Sequence, residues 1–364
     1  MESMSCGVVL HALQFNSFAA GQIVTYGQSV GINTPLNSHL VSCVTALERF
    51  PTRRNTFQPQ QLLKRRYSTG ATAPRVLTTE QELRAWRQAS PGTTLGFIPT
   101  MGALHAGHLG LVDAAVRECD QVVASIFVNP AQFAAHEDLG SYPQTLDLDL
   151  AQLAERKVDA VFVPARDLMY PPHHSNVKIT MTQATKGLEG ASRPHFFDGV
   201  ALICAKLFNL VQPTHVYFGL KDAQQCVTIR QLIDELNFPI ALRLGATSRH
   251  EDGLAMSSRN VRLSLQHRAR ATVLYRALCE AQEAVLTAEA GLTVGEVVAL
   301  AQATMETEPE FRTDYVTVSR ASDMVPLAAD VHLLEVLEQD QVCISNAGWF
   351  GDVRLIDNVL VAKK

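Results

Sequence analysis

The stretch Pro99-Thr100-Met101-Gly102-Ala103-Leu104-His105-Ala106-Gly107-His108 holds residue types suited to phosphate chemistry. Residues 94–100 read as a buried strand leading into it, and residues 109–119 have the apolar spacing of a helix leading out. Glycines at 102 and 107 let a backbone approach a bound phosphate closely. A helix N-terminus adds unpaired N–H groups and partial positive charge. Two imidazoles one turn apart, His105 and His108, can donate to oxygens on which negative charge builds up in a transition state. Histidines at this spacing also suit a metal pair or a satisfied core pair. The order strand, Pro-Thr-Met-Gly, His-x-Gly-His, helix selects phosphate binding. No GxxxxGK[ST] loop and no GxGxxG occurs, which disfavours a P-loop ATPase and a dinucleotide oxidoreductase.

A second group of phosphate-suited side chains is Met256-Ser257-Ser258-Arg259-Asn260, where hydroxyls and a guanidinium stand together. Taken alone, such a run is more often a helix N-cap followed by a surface arginine. Lys221 follows a short apolar run in Gly219-Leu220-Lys221-Asp222, a turn position rather than an open helix face. Asp147 and Asp149 suit the acidic first turn of a helix over 147–156, and Asp149 is carried forward only as a metal-ligand candidate of lower rank.

These groups need a frame. Between residues 93 and 247, strand-like runs at 94–100, 121–128, 160–163, 215–218 and 240–246 alternate with helical stretches at 109–119, 147–156, 199–210 and 223–236. Strand and helix in turn imply βαβ units and a parallel sheet, whose ligands bind at the carboxyl ends of the strands. After residue 247 the pattern changes. Residues 264–288 and 293–307 read as helices, and 315–318, 331–337, 342–345 and 353–361 as strands. The expected fold class is therefore α/β, a Rossmann-like nucleotide-binding domain over 76–247 followed by a smaller α+β domain over 248–364.

Composition bounds the rest. The chain has 364 residues, 47% hydrophobic, with a formal net charge of -5, so nothing points to a nucleic-acid surface. No apolar run approaches the ~20 residues of a membrane span. Residues 1–75 differ from the remainder: seven Lys/Arg stand against Glu2 and Glu48, in a Ser-, Thr-, Asn- and Gln-rich segment. That composition fits a mitochondrial transit peptide and equally an extension without a targeting role, so the compartment is expected to be cytoplasmic or mitochondrial. Seven scattered cysteines, none in a CxxC pair, imply a reducing environment, and Cys204 and Cys226 fall in apolar helical patterns as core residues.

The His-x-Gly-His element after a strand of a parallel sheet resembles the nucleotidyltransferase superfamily, which includes class I aminoacyl-tRNA synthetases. Met256-Ser257-Ser258-Arg259-Asn260 resembles the second signature of that superfamily. Other words in the same order narrow the resemblance to the pantothenate synthetase (pantoate–β-alanine ligase) family over about residues 76–364. They are Ile126-Phe127-Val128-Asn129-Pro130-Ala131-Gln132-Phe133, Tyr217-Phe218-Gly219-Leu220-Lys221-Asp222-Ala223-Gln224-Gln225, Thr247-Ser248-Arg249-His250-Glu251-Asp252-Gly253-Leu254-Ala255 and Arg354-Leu355-Ile356-Asp357-Asn358.

This resemblance implies a two-step reaction. Pantoate attacks the α-phosphorus of ATP, pyrophosphate leaves, and the amine of β-alanine then displaces AMP. It implies catalytic roles for His105, His108, Lys221, Ser257, Ser258 and Arg259. ATP contacts are implied for Pro99, Thr100, Met101, Gly102, Gly107, Phe218, Gly219, Lys221, Asp222 and Met256. Pantoate and β-alanine contacts are implied for Phe127, Asn129, Gln132, Arg193 and Gln225. Mg²⁺ is expected with ATP, without a firmly assigned protein ligand, and a homodimer is expected from the family. Partners are otherwise the small-molecule substrates, with neither nucleic acid nor membrane.

One departure stands out. Arg193-Pro194-His195-Phe196-Phe197-Asp198-Gly199-Val200 puts Phe196 where the family pattern has histidine, with His195 one position early. Either His195 substitutes through local rearrangement or that polar contact is dispensable, and the second is preferred.

Two other readings fit less well. An adenylyltransferase acting on a phosphorylated acceptor leaves the words at 129–132 and 219–225 unexplained. A non-catalytic nucleotide binder leaves His105, His108, Lys221 and the Ser-Ser-Arg loop without purpose.

Overall fold

Six apolar runs pair in parallel as β1 (Arg75–Leu77), β2 (Leu95–Thr100), β3 (Gln121–Ile126), β4 (Ala160–Phe162), β5 (His215–Gly219) and β6 (Ala241–Gly245), in the order β1-β4-β3-β2-β5-β6. The computed structural model describes residues 73–134, 138–172, 176–183, 186–288 and 291–363. The extension expected over residues 1–75 lies outside them except for residues 73–75, and Arg75 belongs to the sheet, since it opens β1 and pairs with Ala160.

Both faces of this sheet are covered, which is why its strands read as continuous apolar runs rather than alternating ones. Successive side chains still leave opposite faces. Leu95 and Phe97 join one core with α1 (Glu80–Gln88), α6 (Phe196–Val211) and α7 (Ala223–Glu235), while Ile98 joins the other with α2 (Ala106–Glu118) and α3 (Leu146–Glu155). Phe97, Phe162, Phe197 and Phe208 are fully buried in the first core. Each such side chain is worth about 1.5–3 kcal/mol of burial.

The remaining chain adds an antiparallel sheet, β7 (Phe311–Arg320), β8 (Val342–Phe350) and β9 (Val353–Val361), covered by α9 (Val273–Thr287) and α10 (Val294–Met305) around a core of its own. Short helices α4 (Arg166–Met169), α5 (Leu188–Ser192), α8 (Leu265–Arg270) and α11 (Leu333–Leu337) complete the set.

Three sequence expectations change. The parallel sheet begins earlier than residue 93, with β1 and then α1, whose start is a capping box between Thr79 and Glu82. Residues 331–337 are not a strand. Leu333 and Leu337, four apart, are buried while Leu334 is 41% exposed, so the apolar period is that of a helical turn in a run too short to declare itself. The helix expected over 264–288 is divided at Ala271-Thr272. Only α9 has a packed apolar face, and Leu265 of α8 is 92% exposed.

Candidate active site

From β2 the chain moves outward through β3 and β4, then returns to place β5 on the opposite side of β2. The carboxyl ends of β2 and β5 therefore flank a switch point, the usual ligand crevice of such sheets. β2 delivers the His-x-Gly-His loop there, and β5 delivers Leu220-Lys221-Asp222. A cleft of about 900 Å³ opens at this point. Every residue expected at the site lines it except Gly102 and Asp149.

Those two exceptions shape the loop. Gly102 and Ala103 have φ of 83° and 51°, so two consecutive residues take the left-handed conformation. Asp149, fully buried on α3, holds them there. Its Oδ2 accepts the Ala103 N–H at 2.9 Å, and its Oδ1 accepts the Leu104 N–H at 2.9 Å and the Thr145 hydroxyl at 3.1 Å. Burial raises the pKa of this carboxyl, and the three donors offset only part of that rise. Asp149 is thus a backbone anchor, with both oxygens engaged by the protein. Thr100 adds a second brace, donating to Ser125 O at 2.7 Å and accepting the Gly102 N–H at 3.1 Å.

The loop ends in the two imidazoles. His105 is the N-cap of α2, and its Nδ1 accepts the Gly107 N–H at 3.1 Å. A Cβ on residue 107 would stand 2.9 Å from His105 Cε1, so glycine is what admits the ring. His108 Nδ1 accepts the His105 N–H at 3.4 Å, and the ring centroids lie 4.1 Å apart. An accepting Nδ1 leaves the proton of a neutral ring on Nε2. Burial, then the charges of His108 and Lys221, push the pKa of His105 down to about 3. Burial and Lys221 push that of His108 down to about 4. Both rings are neutral at pH 7, each with an Nε2–H to offer.

Facing them, Lys221 Nζ lies 3.7 Å from Asp222 Oδ1, on a single 3-10 turn. Ser257 caps another 3-10 turn, Ser258–Arg262, by accepting the Arg259 N–H at 3.3 Å. Ser258 donates to Ala103 O at 2.9 Å, which ties the serine loop directly to the histidine loop. Met256 is fixed through its N–H on Ser248 O at 2.9 Å.

The other end of the cleft is apolar and amide-lined. Phe127 is 7% exposed and Asn129 1%. The Asn129 Nδ2 donates to Gly199 O at 3.1 Å and Gln132 Oε1 at 3.0 Å, while its Oδ1 accepts from Ala131 N at 3.3 Å and the Tyr170 hydroxyl at 2.7 Å. Gln132 Nε2 then faces Met101 Sδ at 3.0 Å. Arg193 donates to Gln132 O at 3.0 Å and lies over the Phe196 ring at 3.9 Å. His195 is exposed and outside the cleft lining. Arg193 is thus held by Gln132 O and the Phe196 ring, with Glu189 Oε2 at 4.0 Å. Gln225 and Gln224 both line the cleft, and Gln224 is buried, donating to Gly187 O and accepting from Glu189 N.

Tyr170 carries no signal in the sequence, and Arg354, although part of a family word, carries none for its partners. Tyr170 lies in no motif, and burial pushes its pKa up to about 12, which keeps it a donor to Asn129. Arg354 of β9 joins Glu189 of α5 with two bonds of 2.7 Å and Asp314 of β7 with two, of 2.6 and 3.2 Å. Among the described residues, no cluster of three or more His, Cys, Asp or Glu side chains stands close enough to hold a metal. No helix among them is long and apolar enough to cross a membrane.

Known proteins resemble this chain over most of its length. The profile of the pantoate-beta-alanine ligase family matches residues 75–360. A pantothenate synthetase of Chromohalobacter salexigens is 45% identical over 271 residues, covering 74% of this chain and 91% of its own. The crystal structure of pantothenate synthetase from Thermus thermophilus aligns at a TM-score of 0.70 and 42% identity, over 78% of this chain and 98% of its own. That of pantoate-beta-alanine ligase from Francisella tularensis, complexed with beta-gamma ATP and beta-alanine, aligns at 0.64 and 30% identity, over 79% and 98%.

Proposed function

The chain belongs to the pantoate–β-alanine ligase family, and from that premise we propose that it joins pantoate to β-alanine using ATP, through a pantoyl-adenylate. The observation that carries this reading is the meeting, in one cleft, of two neutral imidazoles, Lys221 and the Ser257–Arg259 loop beside a pocket of amides.

In the first step a pantoate carboxylate oxygen attacks the α-phosphorus and the bond to pyrophosphate breaks. Such transfers ask mainly for positioning and charge neutralisation. Nε2–H of His105 and His108 donates to phosphate oxygens as charge develops, and Lys221 and Arg259 neutralise it. Gly219 and Asp222 hold the ribose. Gln132, Gln225 and Arg193 hold pantoate against Phe127 and Met101. In the second step the β-alanine amine attacks the acyl carbon, AMP leaves, and the amine proton is lost to solvent. Asn129 is the family-implied neighbour of that amine.

Mg²⁺ would be carried on the nucleotide phosphates, since Asp149 is committed to backbone and no acidic cage stands among the described residues. Residues 76–247 and 248–364 act as two domains and the molecule as a homodimer, a state that sedimentation would read directly. The Arg-containing, acid-poor N-terminus supports a mitochondrial or cytoplasmic address, which a reporter fused to residues 1–75 would separate.

The test uses the full chain with ATP, Mg²⁺ and pantoate, following exchange of labelled pyrophosphate into ATP. Exchange that requires pantoate, followed by pantothenate and AMP on adding β-alanine, is the expected result. ATP binding without exchange would overturn it.

A further inference from the structure

The dipeptide Asp357-Asn358 of β9 is 3% and 7% exposed, yet it lines the cleft beside residues that the chain supplies more than a hundred positions earlier. The Asn358 side-chain NH₂ has two hydrogens, and both are used on consecutive carbonyls. One goes to Leu220 O at 3.1 Å and the other to Lys221 O at 2.8 Å. These carbonyls belong to the single 3-10 turn that carries Lys221 out of β5. Fixing the peptide planes at 220 and 221 fixes the direction of the Lys221 Cα–Cβ bond, from which its long flexible side chain is aimed.

Asn358 is itself held. Its N–H donates to Asp357 Oδ1 at 2.8 Å, and its carbonyl accepts from Arg249 Nη2 at 3.2 Å. Arg249 forks onto Asp357 with bonds of 2.6 and 3.0 Å, donates to Gly253 O at 3.1 Å and lies over the Tyr275 ring at 3.8 Å. The guanidinium is therefore spent on β9 and on its own loop, and it serves as an anchor. Through Arg249, the loop that leads into Met256–Arg259 and the turn that carries Lys221 are referred to the same two residues of β9.

We propose that Asn358 is a positioning residue for adenylation, holding Lys221 by its backbone, and that the Arg249–Asp357 pair holds Asn358. This rests on the reading of Lys221 as a phosphate ligand. A lysine ammonium acts on phosphate as a point charge and has no fork geometry of its own, so its placement must come from the backbone that bears it.

The test compares Asn358→Leu, Asn358→Ser, Lys221→Met and the double variant Lys221→Met/Asn358→Leu with the wild-type full chain. Leucine keeps the volume and removes both donors, and serine keeps one. Pyrophosphate exchange gives the KM values for ATP and pantoate, the complete reaction gives that for β-alanine, and thermal melting reads the fold. The expected result is a rise in the KM for ATP of about 10- to 100-fold for Asn358→Leu, smaller for Asn358→Ser, as for displacement of a catalytic group by about 1 Å. The KM values for pantoate and β-alanine stay within about twofold, and Asn358→Leu adds nothing further in the Lys221→Met background. Should Asn358→Leu not fold, Asn358→Ser alone decides. An equal rise in all three constants, full additivity with Lys221→Met, or no change at all would overturn the proposal. Lys221→Met with unaltered exchange would instead overturn the phosphate role of Lys221 itself.

Discussion

Replacing Asp149 by Asn removes one charge and changes the shape of the side chain hardly at all, so its effect isolates the anchoring of the histidine loop. The carboxylate accepts from Ala103 N and Leu104 N at 2.9 Å, one on each oxygen, and from the Thr145 hydroxyl. An amide can present only one oxygen. Whichever way it turns, its NH₂ faces one of the two backbone N–H groups, which then has no acceptor. An unsatisfied buried donor costs about 1–3 kcal/mol, and the surviving bond loses its charge assistance, so the total is about 2–4 kcal/mol. Ala103, without a glycine's freedom at φ 51°, then has reason to leave the left-handed region, taking His105 with it. We expect a fall in exchange rate of about 10- to 100-fold from that displacement. A drop in melting temperature of about 5–10 °C should accompany it. Raising Mg²⁺ or substituting Mn²⁺ should not recover the activity, since the lesion lies in the loop. Wild-type melting and exchange, or rescue by excess metal, would refute the reasoning.

Three other outcomes follow from the same geometry. His105→Ala should lower the exchange rate by about 10²–10³-fold with the fold intact, the effect of losing one transition-state donor, and near-wild-type turnover would remove His105 from that role. Acid should destabilise the protein through His108, whose folded pKa of about 4 lies below the ordinary 6.5. Above pH 6.5 neither state is charged there. Between 6.5 and 4 the unfolded chain takes the proton first, so stability is lost as the pH falls, by about 3 kcal/mol in total. Denaturant titrations from pH 7 to 4.5 should show a shallower fall for His108→Gln, and parallel curves would count against the buried neutral ring. Phe196→His should keep exchange within about fivefold of wild type, because it trades one contact beneath Arg193 worth about 0.5–1 kcal/mol. A tenfold gain would show that the family histidine matters here after all.

The sheet was legible because parallel strands buried on two faces leave apolar runs, and the runs at 121–128 and 215–218 end within two residues of β3 and β5. The site was legible where chemistry is local, as in His105-x-x-His108 or Ser257-Ser258-Arg259. It was not legible where one residue acts through another far along the chain. Asn358 meets Lys221 across 137 positions, and Arg354 meets Glu189 across 165. Periodicity over a window of a dozen residues contains nothing about such pairs. Asp149 illustrates the mixture. Its place in the first turn of α3 is read directly, but that turn points at the Ala103 and Leu104 amides only because β2 and α3 are packed together. The short helix α11 and the early β1 were missed for a humbler reason, being five and three residues long.

The amide chain beginning at Tyr170 has a consequence for which molecules the cleft refuses. Gly199 O can only accept and Ala131 N can only donate, so the Asn129 amide between them can stand only one way round. Its NH₂ is then toward Gln132, which must answer with its oxygen and turn its own NH₂ outward, where the nearest partner is the weakly accepting Met101 sulfur. The polarity of the Gln132 end of the cleft is thus written by main-chain atoms that no side-chain substitution rewrites. A ligand oxygen meets a hydrogen there, whereas a methyl or ammonium leaves that hydrogen stranded. Discrimination against an isostere lacking the oxygen is then set by the unmatched donor, a stronger filter than any difference in size.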